Sequence, residues 1–164
     1  MCGIAGFTGK GDDHVLKNMI SAIRHRGPDA RITFHDKDVS LAHARLSILD
    51  LRQEGNQPMF SSDRQLSIVF NGEIYNYLQL KKELSAKYSF KTTTDTEVLL
   101  YLYKEYGVNM LDKINGMFVF ALFDFEKKEL FIAKDRMGKK PLYYTVTDTG
   151  FIFASELKAV LEHS

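Results

Sequence analysis

Met117-Phe118-Val119-Phe120-Ala121-Leu122-Phe123 is apolar at every position. A strand with one wet face alternates apolar and polar residues, because successive side chains point to opposite sides of the sheet. A run apolar throughout has both faces covered, so the sheet that holds it lies inside a layered structure. The rest of the chain supplies the covers. Further β-prone runs occupy residues 3–8, 32–35, 39–46, 66–70, 130–134, 142–147 and 151–154, and the apolar run itself extends over 117–125. Asn71-Gly72, a pair suited to positive φ, is read as interrupting the run at 66–70. Helical spacing links Val15, Leu16, Met19, Ile20 and Ile23, with Asp12 or Asp13 as cap. A second stripe joins Tyr77, Leu80, Leu84 and Tyr88. A third joins Val98, Leu99, Leu102, Tyr103 and Tyr106, entered through Thr94-Asp95-Thr96-Glu97, which reads as a capping box. A short helix follows from Glu156. Two packed sheets with helices on their outer faces satisfy all these patterns, giving an α+β fold of four layers, while the strand order stays open.

Composition narrows the function. The 164 residues suit one domain, with no repeat, low-complexity tract or linker to divide them. Lys and Arg number 22 against 21 Asp and Glu, too balanced for a protein that neutralises a phosphate backbone, so no nucleic-acid partner is expected. No run approaches the roughly 20 apolar residues of a membrane span, and the opening Met1 to Gly9 has no basic leader, so no membrane partner is expected either. One cysteine cannot form an internal disulfide, which favours a cytoplasmic setting. The five histidines form no HExxH and no paired Cys/His spacing, and a metal is not expected. Around Gly138-Lys139 a phosphate-loop pattern fails twice, at Ala133 and at Lys140.

The single cysteine is Cys2. Removal of Met1 would make it the first residue, joining a thiol to an α-amine that titrates near about 7.7 to 8.0, so one residue could hold nucleophile and base. A lone cysteine in an apolar opening strand also reads as a small buried hydrophobe, so position alone does not decide.

Other segments add to it. Met1 to Phe7 (MCGIAGF), Arg24 to Asp29 (RHRGPD), Ala42 to Asp50 (AHARLSILD), Asn71 to Tyr77 (NGEIYNY), Thr94 to Leu100 (TDTEVLL), GMFVFALFD, KDRMGKKPLYY and FASELKA occur in this order through nearly the whole chain. Together they resemble the class II glutamine amidotransferases, whose glutaminase domain is an N-terminal-nucleophile hydrolase; RHRGPD, NGEIYN and SELKA are similar to the asparagine synthetase type. The resemblance implies a four-layer αββα sandwich of two mainly antiparallel sheets, with residues 1–164 forming the glutaminase domain and a C-terminal synthetase domain absent. Cys2 becomes the attacking thiol, and the side-chain amide of Asn71 with the N–H of Gly72 the oxyanion hole. Arg45 takes the glutamine α-carboxylate, residues Leu46, Ser47, Ile48 and Leu49 line the pocket, Asp95 takes the α-ammonium, and Glu73 makes a further contact. RHRGPD is expected to buttress the cysteine rather than react.

Each assignment has a plainer alternative. Asn71-Gly72 is a common turn dipeptide, Arg45 could be a solvated strand charge, and Asp95 lies in a helix's first turn, where a carboxylate favours the dipole with or without a ligand. The implied reaction is glutamine hydrolysis to glutamate and ammonia through a thioester, with no cofactor in this domain. ATP and magnesium would belong to an ATP-dependent synthetase domain, in cis or in trans, whose SGGxDS loop this sequence lacks. A homo-oligomer is compatible with the sequence. The rivals are a glutaminase serving a sugar or another carboxylate, and a catalytically silent glutamine-binding module.

Overall fold

A computed structural model describes residues 1–163. In chain order its elements are β1 (Gly3–Phe7), α1 (Asp13–Ala22), β2 (Ala30–His35), β3 (Ser40–Arg45), β4 (Met59–Phe60), β5 (Leu66–Ile74), α2 (Tyr77–Leu84), α3 (Asp95–Tyr106), β6 (Gly116–Asp124), β7 (Glu129–Lys134), β8 (Tyr143–Thr147), β9 (Gly150–Ala154) and α4 (Leu157–Leu161), with short 3-10 turns at Arg24–Arg26, Gln53–Gly55 and Gly107–Asp112. The strands form two antiparallel sheets, ordered β2-β3-β1-β9-β8 and β4-β5-β6-β7.

Strand alternation sorts the core into three apolar layers. Val119, Ala121 and Phe123 of β6 meet Ile4, Leu41 and Phe153 between the sheets. The alternate residues Phe118, Phe120 and Leu122 point the other way, onto Leu80, Leu84, Val98, Leu99 and Leu102 of α2 and α3. On the far side, Ala5, Phe7, Ala42 and Ala154 receive Leu16, Met19 and Ile20 of α1 and Val160 of α4. The result is the expected αββα sandwich.

Local chemistry fixes the helix ends. Asp12 caps α1 by accepting from the N–H of Val15 at 2.9 Å. Thr94 caps α3 through the Glu97 N–H, but the Glu97 carboxylate does not return to Thr94 as a capping box requires. It accepts instead from the N–H groups of Lys91 and Thr92, tying down the preceding loop. Helix α2 stops at Leu84, so Tyr88 lies beyond it.

A further local expectation fails. Asn71-Gly72 does not interrupt a strand; β5 runs through it to Ile74, pairing Asn71 with Val119 and Gly72 with Phe118. Gly72 is required there by space, because a Cβ would lie 2.3 Å from the Met117 carbonyl oxygen and 2.7 Å from Phe118 Cα.

Candidate active site

A cavity of about 150 Å³ opens where the start of β1 meets the ends of β3 and β5, and its lining includes Cys2, Arg45, Asn71, Gly72, Glu73 and Asp95. Cys2 and Asp95, 93 positions apart in the chain, thus share one small space.

Cys2 is partly exposed, and its sulfur faces both backbone groups of Leu46. Sγ lies 3.6 Å from the Leu46 carbonyl oxygen and accepts from the Leu46 N–H at 3.4 Å, a donor already in place for charge that develops on sulfur. The RHRGPD segment holds this arrangement from behind. Arg26 Nε donates to the Cys2 carbonyl at 3.0 Å while its Nη1 pairs with Glu156, which also bonds His25. Asp29 accepts from the Ser47 N–H at 2.7 Å and its own N–H bonds the Arg45 carbonyl, fixing the end of β3. Gly27 lets the loop lie against that strand, since a Cβ would come within 2.2 Å of the Ala44 carbonyl. Ser155, in SELKA, completes the frame by bonding the Ile4 N–H at 3.0 Å.

The register of β5 aims the donors. Tyr75 bonds Asn115 beside the β5–β6 ladder, so the N–H groups of odd-numbered residues face β6 and those of even-numbered residues face away. Leu66, Phe70 and Ile74 accordingly donate to Ser61, Gln57 and Asp95 on the opposite edge. The Gly72 N–H shares that parity and opens on the cavity Gly72 lines. Val69 points between the sheets, so Asn71 and Glu73 share that face. Asn71 is 2% exposed, and its Nδ2 is a buried donor with no partner among the described residues. An orphan donor is costly unless something is meant to use it.

Opposite charges flank these donors. Arg45 spends its donors on carbonyls of Leu49, Asp50 and Arg52 and on the Asn56 amide oxygen, and pairs with no carboxylate among the described residues. Asp50, the nearest acid in sequence, is taken by Arg52. Asp95 is 4% exposed. Burial pushes its carboxyl up to about 6, the negative charge of Glu73 adds to the rise, and N–H bonds from Ile74, Thr96 and its own backbone oppose it. Among the described residues, Arg45 is thus a cation paired with no acid, and Asp95 and Glu73 are acids paired with no cation.

Of the residues expected here, Leu46, Ile48 and Leu49 also line the cavity; Ser47 does not, its backbone being engaged by Asp29. His43, Gln57, Thr94, Thr96, Met117 and Lys140 line it as well and escaped the sequence reading. Lys140 is 5% exposed, with Nζ 3.1 Å from Met1 Sδ. The KDRMGKKPLYY segment that failed as a phosphate loop therefore delivers a lysine to the pocket. His43 is buried against the Phe70 carbonyl at 3.1 Å, and burial pushes its imidazole down to about 3, so it is neutral.

Residues 1–164 match the family described as glutamine amidotransferase domain. The chain is 44% identical over 170 residues to the glutamine-hydrolysing asparagine synthetase 2 of Bacillus subtilis strain 168, covering 99% of this chain and 22% of that protein. It is 40% identical to the glutamine-hydrolysing asparagine synthetase B of Escherichia coli K12, covering 98% and 30%, and 37% identical to amidase chyE of Penicillium rubens, covering 98% and 26%. The chain spans about a quarter of the length of these curated relatives. Among solved structures, the glutamine phosphoribosylpyrophosphate amidotransferase of B. subtilis superposes on 96% of this chain and 42% of its own with a TM-score of 0.81 at 24% identity, a likeness of fold.

Proposed function

The chain belongs to the glutamine amidotransferase domain family, and from that premise we propose that it hydrolyses L-glutamine to L-glutamate and ammonia, with Cys2 as nucleophile once Met1 is removed. One observation carries the reading: the unpartnered Nδ2 of Asn71 shares a cavity with the Cys2 thiol, an uncompensated Arg45 and an acid pair, Asp95 and Glu73. Free glutamine is a zwitterion whose side-chain carbonyl is separated from the charged centre by two methylenes, and this pocket offers a complement to each part.

Arg45 binds the α-carboxylate, while Asp95, with Glu73 beside it, binds the α-ammonium. The γ-amide then lies against Cys2. The sulfur adds to the γ-carbonyl carbon as its proton passes to the freed α-amine, and the oxygen takes the charge, facing Asn71 Nδ2 and the Gly72 N–H. Preorganised donors of this kind contribute about 3 to 4 kcal/mol each. Collapse of the adduct expels the amide nitrogen, which leaves as ammonia with the proton the amine held. Water then cleaves the γ-glutamyl thioester, releasing glutamate and restoring the thiol. The ammonia serves an ATP-dependent synthetase domain or partner, in asparagine synthesis on the pattern of the named relatives; ATP and magnesium belong to that partner and no cofactor to this domain. Residues 1–164 act as one glutaminase unit in a cytoplasmic enzyme.

Glutamate release is the test, with the N-terminus defined by mass spectrometry. Processed protein is expected to turn over glutamine, and Cys2→Ala or an uncleavable Met1 to stop it. Release unaffected by either change would falsify the mechanism.

A further inference from the structure

The segment Asn71-Gly72-Glu73 has a sheet neighbour on one edge only, because β4 pairs with β5 at Ser67 and Ile68 and no further. On the open edge two N–H groups bracket it. Before it, Phe70 donates to Gln57 Oε1 at 2.6 Å, and Gln57 Nε2 donates to Thr96 Oγ1 at 3.1 Å. After it, Ile74 donates to Asp95 Oδ2 at 3.0 Å. Both ties end on consecutive residues in the first turn of α3. From the other sheet, His43 Nε2 holds the Phe70 carbonyl at 3.1 Å, so both backbone groups of the residue before Asn71 are gripped by side chains. Of the N–H groups on this edge from Phe70 to Ile74, the Gly72 donor is the one left for a ligand.

We infer that Gln57 is a positioning residue for glutamine hydrolysis: it fixes Phe70 and so aims the donors of Asn71 and Gly72, tying them to the helix that carries Asp95. The inference rests on the function proposed above. Gln57 is 6% exposed, and both ends of its amide are committed to the protein, so its effect passes through the strand. The position demands an acceptor at one end of a side chain and a donor at the other, which a primary amide supplies and a carboxylate or thioether does not. Displacing a reacting group by about 1 Å can cost up to about 100-fold in rate, so a strand freed at Phe70 loses turnover before it loses substrate.

The test is a double-mutant cycle on processed protein, with kcat and KM for glutamine measured below the unfolding midpoint and rates normalised to titrated Cys2 thiol. Gln57→Met is expected to lower kcat about 10- to 100-fold with KM little changed. In an Asn71→Ala background the same change should cost at most about a third of that factor, because one of the two donors it aims is already gone. Thr96→Val cuts only the far arm and should show a smaller loss with the same coupling; it carries the cycle if Gln57→Met does not fold. Equal losses in both backgrounds, a change confined to KM, or unaltered kcat would overturn the inference. Processed wild type that releases no glutamate overturns the amidotransferase reading itself, a different outcome from an active wild type with additive losses.

Discussion

Asp95 and Asp135 are 4% and 5% exposed, both accept backbone N–H bonds, and they do opposite things. At Asp135, just past β7, burial pushes the carboxyl up, but N–H groups of Lys139, Lys140, Phe118 and Met137 outweigh it and hold the group below the ordinary carboxylate value. At Asp95 burial wins, and the carboxyl is pushed up to about 6 with the charge of Glu73 pressing the same way. A carboxylate saturated by its own turn is structural. One that the fold holds buried beside a second acid keeps a raised carboxyl, and in the function proposed above it meets the ammonium of glutamine.

The largest effect is expected at Asp95. Asp95→Asn should raise the KM for glutamine about 100-fold, since it takes from the ammonium the buried one of its two counter-charges, and steady-state glutaminase kinetics will show it. An unchanged KM would leave Asp95 a structural residue that ties the first turn of α3 to the Ile74 N–H. Asp135→Ala should instead lower unfolding free energy by about 3 kcal/mol, by stranding the N–H groups of Phe118, Lys139 and Lys140, while KM stays put; urea titration with the assay separates the two.

Stability against pH sharpens the contrast. The folded value of Asp95, about 6, lies above the unfolded value near 3.9, so the folded state holds the proton more tightly and its contribution to stability, full below about pH 4, is lost as pH rises through 6. Ligand-free Asp95→Asn should therefore be more stable than wild type at pH 7 by roughly 1 to 3 kcal/mol, with the gain vanishing below about pH 4. Asp135 has the reverse sign, its contribution present above the unfolded value and lost as pH falls through the folded one. The smallest effect is kinetic. Because the ammonium needs an ionised partner, kcat/KM should fall as pH drops below about 6, and Asp95→Asn should remove that component from the profile.

The layered fold was legible in the sequence because periodicity is local. An apolar run at Met117 to Phe123 reports two covered faces wherever the strand ends up, and Asp12 and Thr94 cap their helices from within a few residues. The candidate residues Cys2, Arg45, Asn71, Gly72 and Asp95 were singled out through motifs, and all five line one cavity. What failed were inferences from short pieces taken alone. Asn-Gly read as a turn, yet its glycine is there because a strand crosses Met117 and Phe118 too closely for a Cβ.

Four layers, one candidate nucleophile and the charges that could meet a zwitterion follow from the order of residues alone. Folding in three dimensions adds which N–H of β5 is left open to the pocket, that Gln57 and His43 grip Phe70, and that Lys140 lies buried beside Met1. The reason is that periodicity and capping act over a few residues, whereas hydrogen-bond parity on a strand is set by its register with a partner dozens of residues away. A shift of one residue in the pairing of β5 with β6 would turn the Gly72 N–H into the ladder and Asn71 toward the helices.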